Sequence, residues 1–451
     1  MSAGSRIVRI GAGSGFSGDR IEPAVELVQQ AGLDFLVFEC LAERTIALAQ
    51  QVKRLDPAAG YDPLLVARMR AVLPGCAERG VRIISNMGAA NPAAAARRIA
   101  EIAREFRLHG LKIAAVTGDD VLDAVLQRDP ELLGRPGRVA ALGRERIISA
   151  NAYLGARPII EALEMGAQVV VTGRVADPSL FLAPLAHAFG WPEDDWTVLG
   201  RGTLVGHLLE CAGQLSGGYF ADPGVKDVPD LARLGFPFAE VSADGSAIFT
   251  KAPGSGGRLD LRTVKEQLLY ELGDPSAYLT PDVCADFSRT VLSELGPDRV
   301  HASAAGGSAA PSELKVSVGY LDGYVGEGQI SYAGAQAADR GRLALEVVRQ
   351  RLQLTGVELQ ELRCELIGVD SVRFGDGAAK SGPTREVRAR IAARTATLEA
   401  AQRVGAEVEA LYTNGPAGGG GATRSATAVV AIASTLIPRA LVSPRVEMVI
   451  A

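Results

Sequence analysis

Short runs of β-branched and other apolar residues alternate with amphipathic stretches through the first half of the chain. The apolar runs predict strands, and the stretches between them predict helices. The predicted strands are Ile7–Ile10, Phe35–Phe38, Val81–Ile84, Leu111–Val116 and Val169–Val171. The predicted helices are Pro23–Gln30, Glu43–Lys53, Pro63–Arg79, Pro92–Phe106 and Ser149–Met165. This order predicts right-handed crossovers and a parallel β-α-β sheet.

The alternation weakens after about residue 215, where loops rich in Gly, Pro, Ser and Asp separate the apolar runs. Strands are predicted there at Glu240–Val241, Ala247–Lys251, Leu314–Val318 and Arg388–Ala393, and helices at Leu261–Leu272, Gly334–Leu352 and Leu398–Tyr412. We therefore expect an α/β fold. A parallel α/β domain over residues 1–215 is expected to carry a functional site at the carboxyl ends of its strands. An α+β domain over residues 216–451 follows and completes or covers that site, unless the two halves interleave.

Charge and cysteine usage exclude several classes of protein. The net charge is −5 and there is no basic block, so neither nucleic acid nor an anionic membrane is an expected partner. The five cysteines form no C-x-x-C pair, which favours a reducing compartment. No apolar signal core precedes the first strand, and the late apolar stretch Ala426–Ile437 is too short to span a bilayer. We expect a cytoplasmic protein.

Glycine is the unusual component, at 52 of 451 residues. Gly13, Gly15 and Gly18 form a G-x-G-x-x-G match directly after the first strand, and Glu39 ends the next strand, as in a dinucleotide fingerprint. Pro23 argues against a helix that begins within the glycines, and the residue after Gly18 is an aspartate. The open interpretations are dinucleotide binding, a structural loop, or a loop serving another anionic ligand.

Polar residues follow each predicted strand, where parallel α/β sheets bind ligands. The candidate catalytic residues are Asp19, Glu39, Asp119, Asp120 and His207. The candidate substrate-binding residues are Ser14, Ser17, Arg44, Asn86, Arg174, Asp177, Tyr219, Gly418 and Gly419. Carboxylates beside arginines suit proton abstraction next to a bound anion, or a divalent cation held by Asp19, Glu39 and Asp119. Helix capping is the alternative role for Asp119, Asp120 and Asp177.

Two further segments could carry chemistry. His207, Glu210, Cys211 and Gln214 fall on one face of a predicted short helix, so His207 is an acid/base candidate or a hydrogen-bonded structural residue. The glycine run 418–421 follows a predicted helix and could form a nest of N–H groups for an anion, or a flexible loop.

Several long stretches of the chain match one known family, among them RIVRIGAGSGFSGDRIEPA, SNMGAANP, NAYLGARPIIEALEMGAQVVVTGRVADPSL, GHLLECAGQLSGGYFADPG and LYTNGPAGGGG. By these stretches the chain resembles the acyclic terpene utilisation AtuA family. The resemblance implies a role beside acyl-CoA carboxylases and enoyl-CoA hydratases, with a carboxylate or CoA thioester as substrate. Longer relatives carry a small C-terminal ferredoxin-like domain. We expect this chain to be the short form, with a separate small subunit supplying that domain.

Three functions fit these observations. The leading hypothesis is a hydratase or lyase of acid or acyl-CoA catabolism, in which Asp19 and Glu39 transfer protons and Arg174 binds the anion. The second is a metal-assisted hydrolase that uses a divalent cation. The third is a non-catalytic acyl-binding or scaffold subunit of a carboxylase-associated complex. A homo-oligomer is expected in each case.

Overall fold

The computed structural model describes residues 6–372 and 384–451. The described residues of Met1–Gly319 and Ile432–Ala451 form one compact unit, and those of Tyr320–Ala431 form a second. The chain passes into the second unit within one long strand and returns within another. Residues 216–319 thus belong to the same unit as the first 215 residues, whereas the sequence pattern suggested a boundary at about residue 215 or an interleaving of the two halves.

Strands and helices are numbered in chain order. The strands are β1 Ile7–Ser14, β2 Phe35–Phe38, β3 Arg82–Ser85, β4 Lys112–Thr117, β5 Ile147–Ala152, β6 Val169–Thr172, β7 Pro237–Ser242, β8 Ala247–Lys251, β9 Tyr278–Leu279, β10 Cys284–Asp286, β11 Val291–Gly296, β12 Arg299–Ser303, β13 Gly306–Ser308, β14 Glu313–Ala333, β15 Glu361–Ile367, β16 Glu386–Thr395, β17 Gly420–Pro438 and β18 Arg445–Ile450. The α-helices are α1 Glu22–Gln30, α2 Glu43–Leu55, α3 Leu65–Arg79, α4 Pro92–Glu105, α5 Leu122–Arg128, α6 Arg157–Glu164, α7 Ser179–Phe189, α8 Trp196–Leu209, α9 Leu261–Leu269, α10 Ala337–Leu354, α11 Leu398–Glu409 and α12 Leu411–Asn414.

The first unit is built on a ten-stranded mixed sheet. Its strand order is β11-β12-β8-β7-β1-β2-β3-β6-β4-β18. The central strands β1, β2, β3, β6 and β4 pair in parallel, as their continuous apolar runs predict, and antiparallel strands extend the sheet on both sides. The α/β class is therefore confirmed, and β7, β8, β11 and β12 from beyond residue 215 continue the same sheet.

Helices cover the central strands and bury every side chain of β2 and β6. Helices α1, α3 and α4 pack side by side, and so do α6, α7 and α8. Pro23 and Pro92 occupy first-turn positions, where their missing N–H costs no hydrogen bond. Asn91 caps α4 by accepting a hydrogen bond from the N–H of Ala94, as the sequence suggests.

One predicted helix was wrong over its first half. Residues Ser149–Ala152 belong to strand β5, and the helix begins only at Arg157, with Pro158 in its first turn. The stretch IISANA is fully buried, so it lacks the polar face that would separate a strand from a helix by periodicity. Asp119 does not cap α5, whose N-cap residue is Val121, but Asp120 Oδ1 accepts a hydrogen bond at 3.3 Å from the N–H of Leu122, the first residue of this helix.

The second unit contains a β-α-β-β-α-β arrangement. Its strands lie in the order β15-β16-β14-β17, and β16 pairs antiparallel with both β14 and β15. This is the ferredoxin-like order, with α10 and α11 contributing apolar residues to a core of their own. In neither described part of the chain does a helix have the length and apolarity needed to cross a membrane.

Close packing between α7 and α8 depends on Gly206. A Cβ at this position would lie 2.6 Å from the carbonyl oxygen and 2.7 Å from the Cα of Pro178. Gly206→Ala should therefore lower the free energy of unfolding by roughly 1–3 kcal/mol, although alanine favours helix. Gly273→Ala is the control, because a Cβ there meets nothing within 4 Å. Equal stability of the two variants in chemical denaturation would contradict this packing.

Candidate functional site

The candidate site is a cavity of about 840 Å³ in the first unit. It lies at the carboxyl ends of β1 and β2, where the parallel arrangement is expected to place a ligand. Its lining comes from the loops after these strands, from the residues that follow α8 and from the segments around residues 218–236 and 270–271. The lining carboxyl groups are Asp19, Glu39, Glu43, Asp177, Glu210 and Glu271.

Arg174 connects the ends of three strands behind this cavity. Its side chain is 2% exposed, its Nη2 lies 3.0 Å from Asp177 Oδ1, and its Nη1 donates to the carbonyl oxygen of Leu41. The guanidinium carbon lies 4.2 Å from the centre of the Tyr153 ring. The backbone N–H of Arg174 donates to Asp119 Oδ2 at 2.9 Å. Since the guanidinium is engaged by protein groups and does not line the cavity, it holds Asp177 in place.

Asp119 supports Arg174 from the end of β4. Its Oδ2 also accepts a hydrogen bond from the amide of Asn151 at 2.9 Å. Burial raises the pKa of Asp119 to about 6, although these two hydrogen bonds oppose the rise. A Cβ at Gly173 would lie 2.5 Å from Asp119 Oδ1, so glycine is required for this carboxyl group to fit. Asp119 is therefore placed behind the cavity.

Glu39 directly follows β2, lines the cavity and is buried. Its Oε1 accepts hydrogen bonds from the N–H of Leu41 at 2.7 Å and from the amide of Asn86 at 2.9 Å. Burial raises the pKa of Glu39 to about 8, with help from the charge of Asp177 and against the hydrogen bonds and Arg174. Glu39 therefore holds a proton at neutral pH and can act as an acid.

Glu210 provides a second carboxyl group of this kind. It is the first residue after α8 and lines the cavity, and its Oε1 lies 2.9 Å from His207 Nδ1. Burial raises the pKa of Glu210 to about 7, although the hydrogen bond with His207 and the charge of that ring oppose the rise. His207 itself is 1% exposed and is not among the lining residues. The imidazole therefore does not contact the cavity itself and is connected to it by the hydrogen bond with Glu210.

The glycine-rich loop after β1 forms another wall. Helix α1 begins at Glu22, as Pro23 predicts, so no helix N-terminus faces the glycines. The N–H of Gly15 donates to Asp19 Oδ2 at 2.9 Å, which occupies an amide that a pyrophosphate would need. A Cβ at Gly15 would lie 2.5 Å from the carbonyl carbon of Cys211. Gly15 is therefore needed for close packing against Cys211, and its N–H binds the carboxylate of Asp19 within the same loop.

Arg68 of α3 fixes the same loop from inside the core. Its fully buried Nη2 donates to the carbonyl oxygens of Phe16 and Ser17 at 3.2 and 2.9 Å. Its Nη1 lies 3.3 Å from Asp62 Oδ1 and 3.2 Å from Cys40 Sγ. The hydroxyl of Ser17 donates to Asp62 Oδ2 at 2.6 Å. Ser17 is thus held by this ion pair at the edge of the cavity.

Glu43 is a lining carboxylate with a lowered pKa. It accepts a short hydrogen bond from the hydroxyl of Tyr153 and lies 3.2 Å from Lys315 Nζ. Although burial raises it, the hydrogen bond from Tyr153 and the charges of Arg174 and Lys315 lower the pKa of Glu43 to about 2. One cavity therefore combines an ionised carboxylate with carboxyl groups that bind a proton near neutral pH.

The other predicted residues lie in varied places. Ser14 is buried and donates to the carbonyl oxygen of Glu39 at 2.8 Å, whereas Arg44 is exposed on α2 and does not line the cavity. Asp120 accepts a hydrogen bond from Gln50 and lines a separate hollow of about 610 Å³. Tyr219 lines the cavity with 90% of its surface exposed.

Gly418 and Gly419 belong to the second unit. A Cβ at Gly418 would lie 3.0 Å from Arg340 Nη1, and one at Gly419 would lie 3.0 Å from Ile330. Strand β17 begins at Gly420, so the end of the glycine run is part of a strand. These contacts account for both glycines by packing within their own unit.

Several residues of the site were missed by reasoning from the sequence. Glu210 was noted only as a neighbour of His207, and its spacing of three residues was the available signal. Glu271 lies two residues beyond the end of α9 and belongs to no motif. Arg68 and Asp62 fall in and before a helix without any motif, and only the fold shows that they support the loop after β1.

A metal site at Asp19, Glu39 and Asp119 finds no support in the arrangement of these carboxylates. Asp119 is turned toward Arg174 and Asn151, and Asp19 toward the N–H of Gly15. Within residues 6–372 and 384–451, no three His, Cys, Asp or Glu side chains are grouped so that they could hold a metal ion.

Comparisons with known proteins give one match. The family model described as acyclic terpene utilisation family protein AtuA matches residues 8–448. Comparisons with curated proteins and with solved structures found no similar chain.

The protonated state of Glu39 has a consequence for stability. The pKa of Glu39 rises from 4.5 to about 8 on folding. The contribution of protonated Glu39 to the free energy of unfolding is therefore complete below pH 4.5 and is lost as the pH rises through about 8. Glu39→Gln removes this loss. The free energy of unfolding of the variant, relative to wild type, should therefore increase by roughly 1 kcal/mol or more between about pH 5 and pH 8.

Urea denaturation at several pH values measures this difference. Glu266→Gln is the matched control, because Glu266 is exposed and pairs only with Lys226 in the described structure. If the free energies of unfolding of Glu39→Gln and wild type differ by the same amount at every pH in this range, Glu39 does not hold the proton.

Proposed function

Because the chain belongs to the acyclic terpene utilisation family AtuA, we propose that it is an enzyme of acid or acyl-CoA catabolism. Its reaction is the addition of water to a branched unsaturated carboxylic acid or its CoA thioester, or the reverse loss of water from the corresponding β-hydroxy compound. The observation that carries the proposal is the presence of Glu39 and Glu210 at one cavity, with pKa values of about 8 and about 7. General acids and bases work best in this range.

The two carboxyl groups divide the proton transfers of a hydration. Glu210 takes a proton from water while the water oxygen bonds to the β-carbon of the substrate. The electron pair of the double bond moves to the α-carbon, which takes the proton of Glu39. The two carboxyl groups then exchange a proton with solvent to restore the starting state, and elimination follows the same steps in reverse.

The remaining lining fits an acyl substrate with one anionic end. Among the residues that the structure describes, Arg20 is the one lysine or arginine in the cavity lining. Leu231, Leu234 and Phe236 give the same cavity an apolar wall for a hydrocarbon chain. We assign anion binding to Arg20, and we assign to Arg174 the positioning of Asp177.

Substitution of the two carboxyl groups tests the proposal. With branched enoyl-CoA thioesters as probes, loss of the conjugated enoyl absorbance reports hydration. Glu39→Gln and Glu210→Gln should each lower kcat by ~10²–10⁴-fold, because each removes one proton transfer and keeps the shape of the side chain. Glu266→Gln should leave kcat unchanged.

Two results would contradict the proposal. One is unchanged kcat in Glu39→Gln. The other is a wild-type chain that binds the thioesters but turns none of them over, alone or with added divalent cations, and that copurifies with a carboxylase. That second result would support the scaffold function instead.

A further inference from the structure

We infer that His207 and Glu210 act as one proton-holding pair, in which His207 stores a proton while Glu210 exchanges one with the ligand in the cavity. His207 is a positioning residue in this pair, since it does not line the cavity. The nature of the exchange rests on the proposed function, but the pair is defined by hydrogen bonds that do not depend on it.

The hydrogen bonds of the imidazole fix where its protons lie. Nε2 is 3.1 Å from the carbonyl oxygen of Leu268, and a carbonyl only accepts, so Nε2 carries a hydrogen. Nδ1 is 2.9 Å from Glu210 Oε1. The Nδ1 atom either donates to the carboxylate or accepts from the carboxylic acid. In both states one proton lies between Nδ1 and Oε1.

The surroundings isolate this proton from solvent. The His207 ring lies 5.2 Å from the ring of Tyr278 and 5.5 Å from that of Phe287, measured between centroids. The amide of Gln267 donates to the backbone carbonyl of His207 at 3.2 Å and holds the end of α8. Because these groups enclose the His207 ring, the shared proton can exchange with the cavity only through the carboxyl group of Glu210.

The other carboxyl oxygen is the point of contact with a ligand. Glu210 Oε2 is buried and has no hydrogen-bond partner in the part of the chain that the structure describes. An unsatisfied buried oxygen costs about 1–3 kcal/mol, a cost that a ligand or water in the cavity can offset. Because Glu210 lines the cavity, Oε2 is its available atom.

A proton moves through the pair without any other reactant. In the state with a neutral imidazole, Oε2 takes a proton from water or from the ligand, and the proton on Oε1 passes to Nδ1. One bond to hydrogen breaks on the ligand and one forms at Oε2, while the electron pair stays on the ligand. The pair gains one positive charge beside the negative charge that develops on the ligand, and the return step reverses both transfers.

The neighbouring charges favour the protonated pair. Against burial, which lowers it, the hydrogen bonds to Glu210 and Leu268 and the charge of Glu271 raise the pKa of His207. Asp177 and Glu271 face Glu210 from the loops before α7 and after α9, and the hydroxyl of Tyr278 comes from β9. These groups contribute negative charge or a neutral hydroxyl.

Nuclear magnetic resonance of the full chain with ¹³C,¹⁵N-histidine tests the pair without any substrate. The chain has four histidines, and the signals missing in His207→Gln assign His207. In wild type, a hydrogen-bonded proton on the Nδ1 side should persist through neutral pH. In Glu210→Gln, the ring's titration midpoint should fall by about one pH unit or more, because the buried ring loses its carboxylate.

Glu266→Gln should leave the His207 signals unchanged. A midpoint that is the same in Glu210→Gln and in wild type would overturn the inference, and so would wild-type His207 losing its Nδ1-side proton below pH 6.5. The second criterion needs only the wild-type chain and the assignment from His207→Gln, so it holds even if Glu210→Gln fails to fold. Because the experiment measures no turnover, its outcome is independent of whether the chain has the proposed hydratase activity.

Discussion

The charge of one buried arginine organises the first unit. Arg174 is 2% exposed, and a guanidinium withdrawn from water is tolerated only when acceptors surround it. Asp177, the carbonyl of Leu41 and the ring of Tyr153 supply that environment, from the loops after β6, β2 and β5. Satisfying Arg174 therefore brings these strand ends together, and the cavity forms in front of them.

The same constraint sets the chemistry of the neighbouring carboxyl groups. Asp177 is paired with Arg174, so Glu39 lies beside a negative charge while its own burial disfavours ionisation. Glu43 accepts a hydrogen bond from Tyr153, pairs with Lys315 and is ionised. Environment alone therefore separates a proton donor from a charged carboxylate within one cavity, without any difference in residue type.

The parallel sheet and the shared edge of strand ends could be predicted because both follow from local pattern. Continuous apolar runs between helical stretches predict parallel strands, and polar residues after such strands lie at one edge of the sheet. That reasoning placed Glu39 and Asn86 near Asp177. It could not place β7 and β18, whose pairing with β1 and β4 depends on contacts distant in the chain, or β8, which joins the sheet through β7.

The orientation of side chains was the other feature that could not be predicted from the sequence. The positive charge of Arg174 suggested an anion site, but the guanidinium is taken up by protein acceptors. His207 stood out because histidine is rare in the chain, yet the carboxyl group at the cavity belongs to Glu210, three residues later. Such differences depend on which group faces the cavity and which lies behind it, and only tertiary packing decides that.

The chemistry of the cavity depends most on Glu39, which we expect to be a protonated carboxylic acid in the folded protein at neutral pH. Infrared spectroscopy measures this directly, through the carbonyl stretch of a protonated carboxyl group, as the difference between wild type and Glu39→Gln. We expect a band present at pH 6.5 that disappears with a midpoint at about pH 8. A difference spectrum at pH 6.5 that shows only the carboxylate bands of Glu39 would contradict it.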